Sequence, residues 1–220
     1  MAVFNFLFGS SKEKWNDIDC FNVGEKLAKF HIANFKNQLS LENQFSLNFW
    51  NEIFLKCKKQ INHIIPNSVQ IIENECYFLS KNWPNNLPTG VIHADLFPDN
   101  VFFEKSKVSG FLDFYFSCND YLSYDLAICI NAWCFPENEF NKKFLKSLLL
   151  GYQSVRELET EEKECLNILL RGASLRFFFT RIYDAIFGAE GKYIKKKDPK
   201  EFLNILNFHI SINSNKFYFG

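Results

Sequence analysis

Three oxygen-bearing residues in the middle of the sequence, Asp95, Asn100 and Asp113, have the types and spacing that phosphoryl transfer to a hydroxyl requires. One carboxylate must orient the attacking hydroxyl and accept its proton. An Asn oxygen and a second carboxylate must hold Mg²⁺ against the nucleotide phosphates. Mg²⁺ takes few protein ligands and completes its shell with water and phosphate, so one Asn and one Asp are sufficient. Asp and Asn are also ordinary turn residues, and Pro98-Asp99-Asn100 makes a good turn by itself. Three features lift the pattern above turn chemistry. His93 lies two residues before Asp95, strand-like runs flank the loop, and Asp113 falls at the far end of a hairpin. His93 reads as a brace for the backbone rather than a proton carrier. Asp125, at the opening of the next helical run, reads as a helix cap that also hydrogen-bonds the Asp95 loop.

The surrounding elements follow from hydrophobic period and punctuation. Gly90–His93, Val101–Phe103 and Val108–Leu112 read as short strands, with Lys105-Ser106-Lys107 as a turn. Before them, Cys20, Val23, Leu27, Phe30 and Ala33 recur at the helical period. A second helix is predicted over about 45–63, and a third after Pro66 with Asn67 or Ser68 as cap. After them, helices are predicted over about 124–134, 138–151, 160–188 and 198–212. The apolar run Ala2–Phe8 predicts a buried strand ended by Gly9. The expected fold is therefore α+β and mostly helical, with a small antiparallel β element holding the reactive loop.

Composition excludes several function classes. The 25 basic and 25 acidic residues give no net charge, against the basic surplus of a nucleic-acid binder. The run Lys195–Lys197 reads as a solvated loop. Seven scattered Cys, odd in number and without a C-x-x-C pair, argue against disulfides and zinc and for a reducing cytoplasm. No stretch has the length and apolarity of a membrane span. The 27 Phe accompany heavy use of Lys, Asn and Ile, and read as core filler.

The run from Gly90 to Trp133 resembles the aminoglycoside phosphotransferase and choline kinase superfamily, and within it the kinase-like homoserine kinases. The resemblance rests on Gly90-Val91-Ile92-His93-Ala94-Asp95-Leu96-Phe97-Pro98-Asp99-Asn100-Val101-Phe102-Phe103, on Asp113-Phe114-Tyr115-Phe116, and on Tyr124-Asp125-Leu126-Ala127. Further matches run to Lys197-Asp198-Pro199, so it covers essentially the whole chain. It implies a kinase-like C-terminal lobe, with Asp95 as catalytic base and Asn100 and Asp113 as Mg²⁺ ligands. It implies ATP as phosphate donor and L-homoserine as acceptor, giving O-phospho-L-homoserine on the way to threonine. Only four Arg persist against 21 Lys, and a planar fork suits a carboxylate, so Arg156, Arg176 and Arg181 are candidates for the amino-acid carboxylate. Related readings are a choline, ethanolamine or aminoglycoside kinase, whose aromatic cage Tyr115, Phe116 and Trp133 would supply, or a non-catalytic remnant.

The family's N-terminal lobe carries the phosphate loop, a strand Lys and its Glu partner. None of these precedes residue 1, so the expected division is a hinge strand at 1–9 and a C-terminal lobe at 10–220. Phe6 and Leu7 would then line the adenine pocket. The 220 residues alone are expected to show little kinase activity, with an N-lobe encoded upstream, encoded separately or lost.

Overall fold

The computed structural model describes residues 6–34, 41–189 and 196–220. Its first helix, α1 (Asp17–Asn34), starts where Asn16 accepts the backbone N–H groups of Ile18 and Asp19. Acidic Asp17 and Asp19 suit the positive end of the helix. Cys20, Val23, Leu27 and His31 form its buried stripe, three or four residues apart. Two further helices follow, α2 (Leu47–Ile64) and α3 (Val69–Asn82).

Four short strands make two separate antiparallel pairs. The first, β1 (Thr89–Ile92), pairs with β4 (Cys118–Tyr121), Ile92 opposite Cys118. The second is a hairpin of β2 (Val101–Glu104) and β3 (Lys107–Phe111), with a bulge between Phe102 and Phe103. Beneath them lie α4 (Leu122–Trp133), α5 (Lys142–Gln153), α6 (Thr160–Phe187) and α7 (Pro199–Ser211), and α8 (Lys216–Phe219) closes the chain.

The long α6 is the spine. At 28 residues it extends about 42 Å, and a reciprocal cap between Glu159 and Glu162 starts it. Its middle, from Leu169 to Phe179, is buried at almost every residue, so no single face can be solvated. Arg171 there forms a two-pronged pair with the buried Glu75 of α3. The helices α1 and α5 cross at two glycines. A Cβ on Gly151 would lie 2.0 Å from the Phe21 carbonyl oxygen, and one on Gly24 2.2 Å from that of Leu148. Only glycine permits that approach, and it brings His31 beside Tyr152.

The β element differs from the sequence expectation. The 90–93 run does not join the hairpin; it pairs with β4, whose Cys118-Asn119-Asp120-Tyr121 lacks the β-branched pattern of a strand. The run predicted as strand at 2–8 falls partly outside the described residues, and Phe6, Leu7 and Phe8 are not in a strand. Phe6 and Phe8 are exposed, while Leu7 covers Gly110 and the Phe8 carbonyl accepts from Ser109. Asp125 is also not the cap of α4, a position Tyr121 holds, although it lies in the first turn. It is the fourth residue of α4 and fully buried.

Candidate active site

The loop between β1 and β2 is shaped by a strained turn. Ala94 adopts φ +64°, a left-handed conformation that costs a residue with a Cβ about 1–2 kcal/mol. Groups from two helices hold it. Asp125 Oδ1 accepts the Ala94 N–H at 2.8 Å, and Oδ2 accepts the His93 N–H at 2.8 Å. On the other side of Ala94, Arg176 on α6 donates from Nη1 to the Ala94 carbonyl. Burial alone would raise the Asp125 pKa. Hydrogen bonds from His31 and the His93 amide, with both imidazoles nearby, hold it below the ordinary carboxylate range instead.

Asp95 follows this turn. Burial pushes its pKa up to about 6, against the opposing charges of Arg176 and Lys197. A carboxylate so poised is suited to taking a hydroxyl proton near neutral pH. Asn100, at the end of a tight turn begun by Pro98, donates from Nδ2 to the Asp95 carbonyl at 2.8 Å and to Asp95 Oδ2 at 3.2 Å. Its amide nitrogen is thereby committed, and its oxygen is the atom left to accept or coordinate. The Leu112 N–H donates to the Asn100 carbonyl at 2.9 Å, which brings the next residue, Asp113, beside Asn100. Asp113 is exposed and left-handed, at φ +60° and ψ +63°. An amide oxygen and an exposed carboxylate are the hard donor set that Mg²⁺ accepts, with positions left for water and phosphate.

His93 is a brace, by geometry. Its Nε2–H donates to the Leu112 carbonyl at 2.8 Å, and Nδ1 accepts the Asp95 N–H at 3.3 Å. Burial lowers its pKa despite nearby carboxylates, which fits a neutral ring with both nitrogens in use.

Asp95 opens onto a cavity of about 430 Å³. Phe45, Phe97, Phe116 and Phe177 give it apolar walls, and Arg176, Arg181, Asp184 and Lys197 give it charge. The structure thus brings Arg176 and Arg181 together with Asp95, but not Arg156, which pairs with Glu162 at 2.9 Å and reaches Tyr152 at 3.3 Å. Arg181 also binds Glu201 and the Asp198 carbonyl. The three aromatic residues of a would-be cage are dispersed. Tyr115 is 87% exposed, and Trp133 is buried with its Nε1–H on the Leu96 carbonyl. Of the three, only Phe116 reaches the cavity.

Sequence reasoning missed Asp184 and His31. Asp184 follows Phe177 and Arg181 at helical spacing, so it shares their face. His31 sits on the apolar stripe of α1, one turn after Leu27, and a polar residue there must find a buried partner.

Comparison with known proteins places the chain among phosphotransferases. The description "Phosphotransferase enzyme family" matches residues 18–158. A homoserine kinase of Parvibaculum lavamentivorans is 43% identical over 214 residues, 97% of this chain and 67% of its own length. Among solved structures, a Plasmodium vivax ethanolamine kinase superposes with a TM-score of 0.66 at 13% identity, covering 96% of this chain and 65% of that one. The amicoumacin kinase hAmiN, in complex with AMP-PNP, Ca²⁺ and Ami, gives 0.65 at 13% identity over 94% of this chain and 63% of its own. The chain therefore spans about two thirds of the length of these proteins. Among the described residues, no helix is long and apolar enough to cross a membrane.

Proposed function

The chain belongs to the phosphotransferase enzyme family, among its homoserine kinases, and from that premise we propose that it transfers the γ-phosphoryl group of ATP to the hydroxyl of L-homoserine. Asp95 is the base, accepting the hydroxyl proton as the oxygen attacks. Asn100 and Asp113 would hold Mg²⁺, whose charge offsets that of the phosphates. The observation that carries the reading is the meeting of Asp95, with its pKa raised to about 6, and two arginines in one aromatic-walled cavity. Arg176 and Arg181 supply the cationic side that an amino-acid carboxylate needs, and a cation–aromatic cage alone would not. Phe6 and Leu7 are assigned to the adenine side, where Leu7 packs on Gly110 of β3. The lobe that covers the nucleotide is taken to come from outside these 220 residues, on the same polypeptide or a separate one.

The test is a substrate panel of L-homoserine, choline, ethanolamine and an aminoglycoside, with ATP and Mg²⁺, on the protein joined to that lobe. Homoserine-dependent ADP release is expected, and release stimulated by choline instead would overturn the assignment.

A further inference from the structure

A chain of hydrogen bonds, half-buried at Arg156 and fully buried beyond it, runs from the start of α6 to the Asp95 loop. Glu162, whose Oε2 also accepts the Glu159 N–H in the helix cap, receives Arg156 Nη2 at 2.9 Å. Arg156 Nη1 donates to the Tyr152 hydroxyl oxygen at 3.3 Å. That hydroxyl lies 2.8 Å from His31 Nδ1, and His31 Nε2 lies 3.0 Å from Asp125 Oδ2. Asp125 in turn holds the His93 and Ala94 amides. Tyr152, His31 and Asp125 have no solvent exposure, so every proton must be placed within the chain.

One arrangement satisfies all of them. Arg156 can only donate, so the Tyr152 oxygen accepts from it and its O–H is free to donate onward. The O–H then goes to His31 Nδ1, which leaves Nε2–H as the donor to Asp125. A doubly protonated ring would aim Nδ1–H at the same hydroxyl and leave the buried Tyr152 proton without a partner. The Nδ1–H tautomer would set a bare Nε2 against the carboxylate. Geometry therefore fixes the His31 tautomer.

The consequence falls on the strained turn. Asp125 spans two consecutive amides only while it is an ionised carboxylate with both oxygens accepting. Among the described residues, His31 is its one side-chain donor. Without that donor, the buried carboxylate keeps only the two amide N–H groups as compensation for its desolvation, and its hold on the turn weakens.

We propose that His31 is a positioning residue for phosphoryl transfer: as the Nε2–H tautomer it fixes Asp125 across the His93 and Ala94 amides, and so sets where Asp95 points. The proposal rests on the kinase reading of Asp95, and two substitutions separate it from mere core filling. The amide nitrogen of Gln overlays imidazole Nε2 and keeps the donor to Asp125. The Asn amide reaches only the Nδ1 position and loses that donor. Both remain polar and buried.

The expected result is that His31→Gln retains kcat within about threefold, while His31→Asn loses about 10- to 100-fold, since small misplacement of a reacting group costs on that scale. KM values for homoserine and ATP should stay within about threefold in both, because His31 touches neither substrate. Equal kcat losses in both variants, or an unchanged kcat in His31→Asn, would overturn the proposal. The second measurement needs no activity. In the ¹⁵N-histidine-labelled chain, the His31 ring should show a protonated Nε2 and a bare Nδ1. The Nδ1–H tautomer or a doubly protonated ring would overturn the proposal. If the unsubstituted protein, joined to the nucleotide-covering lobe, phosphorylates no homoserine, it is the kinase reading that fails, and the NMR result alone decides whether His31 holds Asp125.

Discussion

Asp95→Asn should abolish transfer and at the same time stabilise the fold, and the pH dependence of that gain reports the same burial that poises the base. The perturbation is nearly isosteric. An Asn oxygen can still accept from Asn100 Nδ2, which now reaches Asp95 Oδ2 at 3.2 Å. Burial moves the Asp95 carboxyl from an ordinary 3.8 to about 6. Its pKa is therefore higher in the folded than in the unfolded chain, and the folded state binds the proton more tightly. Stability then falls as pH rises through that interval, and the loss is complete above about 6. At about 1.4 kcal/mol per pH unit the ceiling is about 3 kcal/mol; Asp95 keeps some solvent contact, which reduces this to about 1–3 kcal/mol. The assay is urea denaturation of both proteins from pH 4.5 to 8, in EDTA so that no cation alters the balance. The Asn variant should gain about 1–3 kcal/mol at pH 8 and only about a third of that at pH 4.5, with an unchanged m-value. A difference that is flat with pH, or a variant less stable at pH 8, would refute the burial argument.

Three further outcomes are expected. Arg181→Lys should raise the homoserine KM about tenfold, the scale of one lost charge-assisted contact, whereas Arg156→Lys should leave it unchanged because Arg156 faces Glu162; steady-state kinetics on both distinguishes them. Ala94→Val should destabilise by about 2 kcal/mol in denaturant melts, since a β-branched residue tolerates φ +64° poorly, while Ala94→Gly should be neutral or stabilising. Gly151→Ala should cost about 2–3 kcal/mol, because its Cβ would meet the Phe21 carbonyl at 2.0 Å and force α1 away from α5; the thermal midpoint and His31 NMR signals should both move.

The sequence made most helices legible because their periodic apolar residues lie on faces that are in fact buried, as for Cys20, Val23 and Leu27 in α1. Strand pairing was less visible. The β4 segment Cys118–Tyr121 is short, with its polar Asn119 and Asp120 side by side and no alternation, and its pairing with β1 defines it as a strand. The reactive residues Asp95, Asn100 and Asp113 could be read from spacing, since they share one loop and the hairpin that follows it. The arginines could not be ranked in that way. Whether an arginine faces a cavity or an acid depends on contacts between distant elements, such as Arg176 with Ala94 or Arg156 with Glu162. Asp125 was misplaced at the cap of α4 for a similar reason. Helix α4 begins three residues earlier, directly from β4, and its carboxylate turns inward to the loop rather than to its own helix.

The most direct measurement is ³¹P NMR of the reaction mixture, with ATP, Mg²⁺ and L-homoserine incubated with the protein and its nucleotide-covering lobe. The account predicts a resonance of O-phospho-L-homoserine that grows with ADP and is absent when Asp95→Asn replaces the unsubstituted protein. Phosphorylated homoserine formed at an undiminished rate by Asp95→Asn, or none formed by either protein, would contradict it.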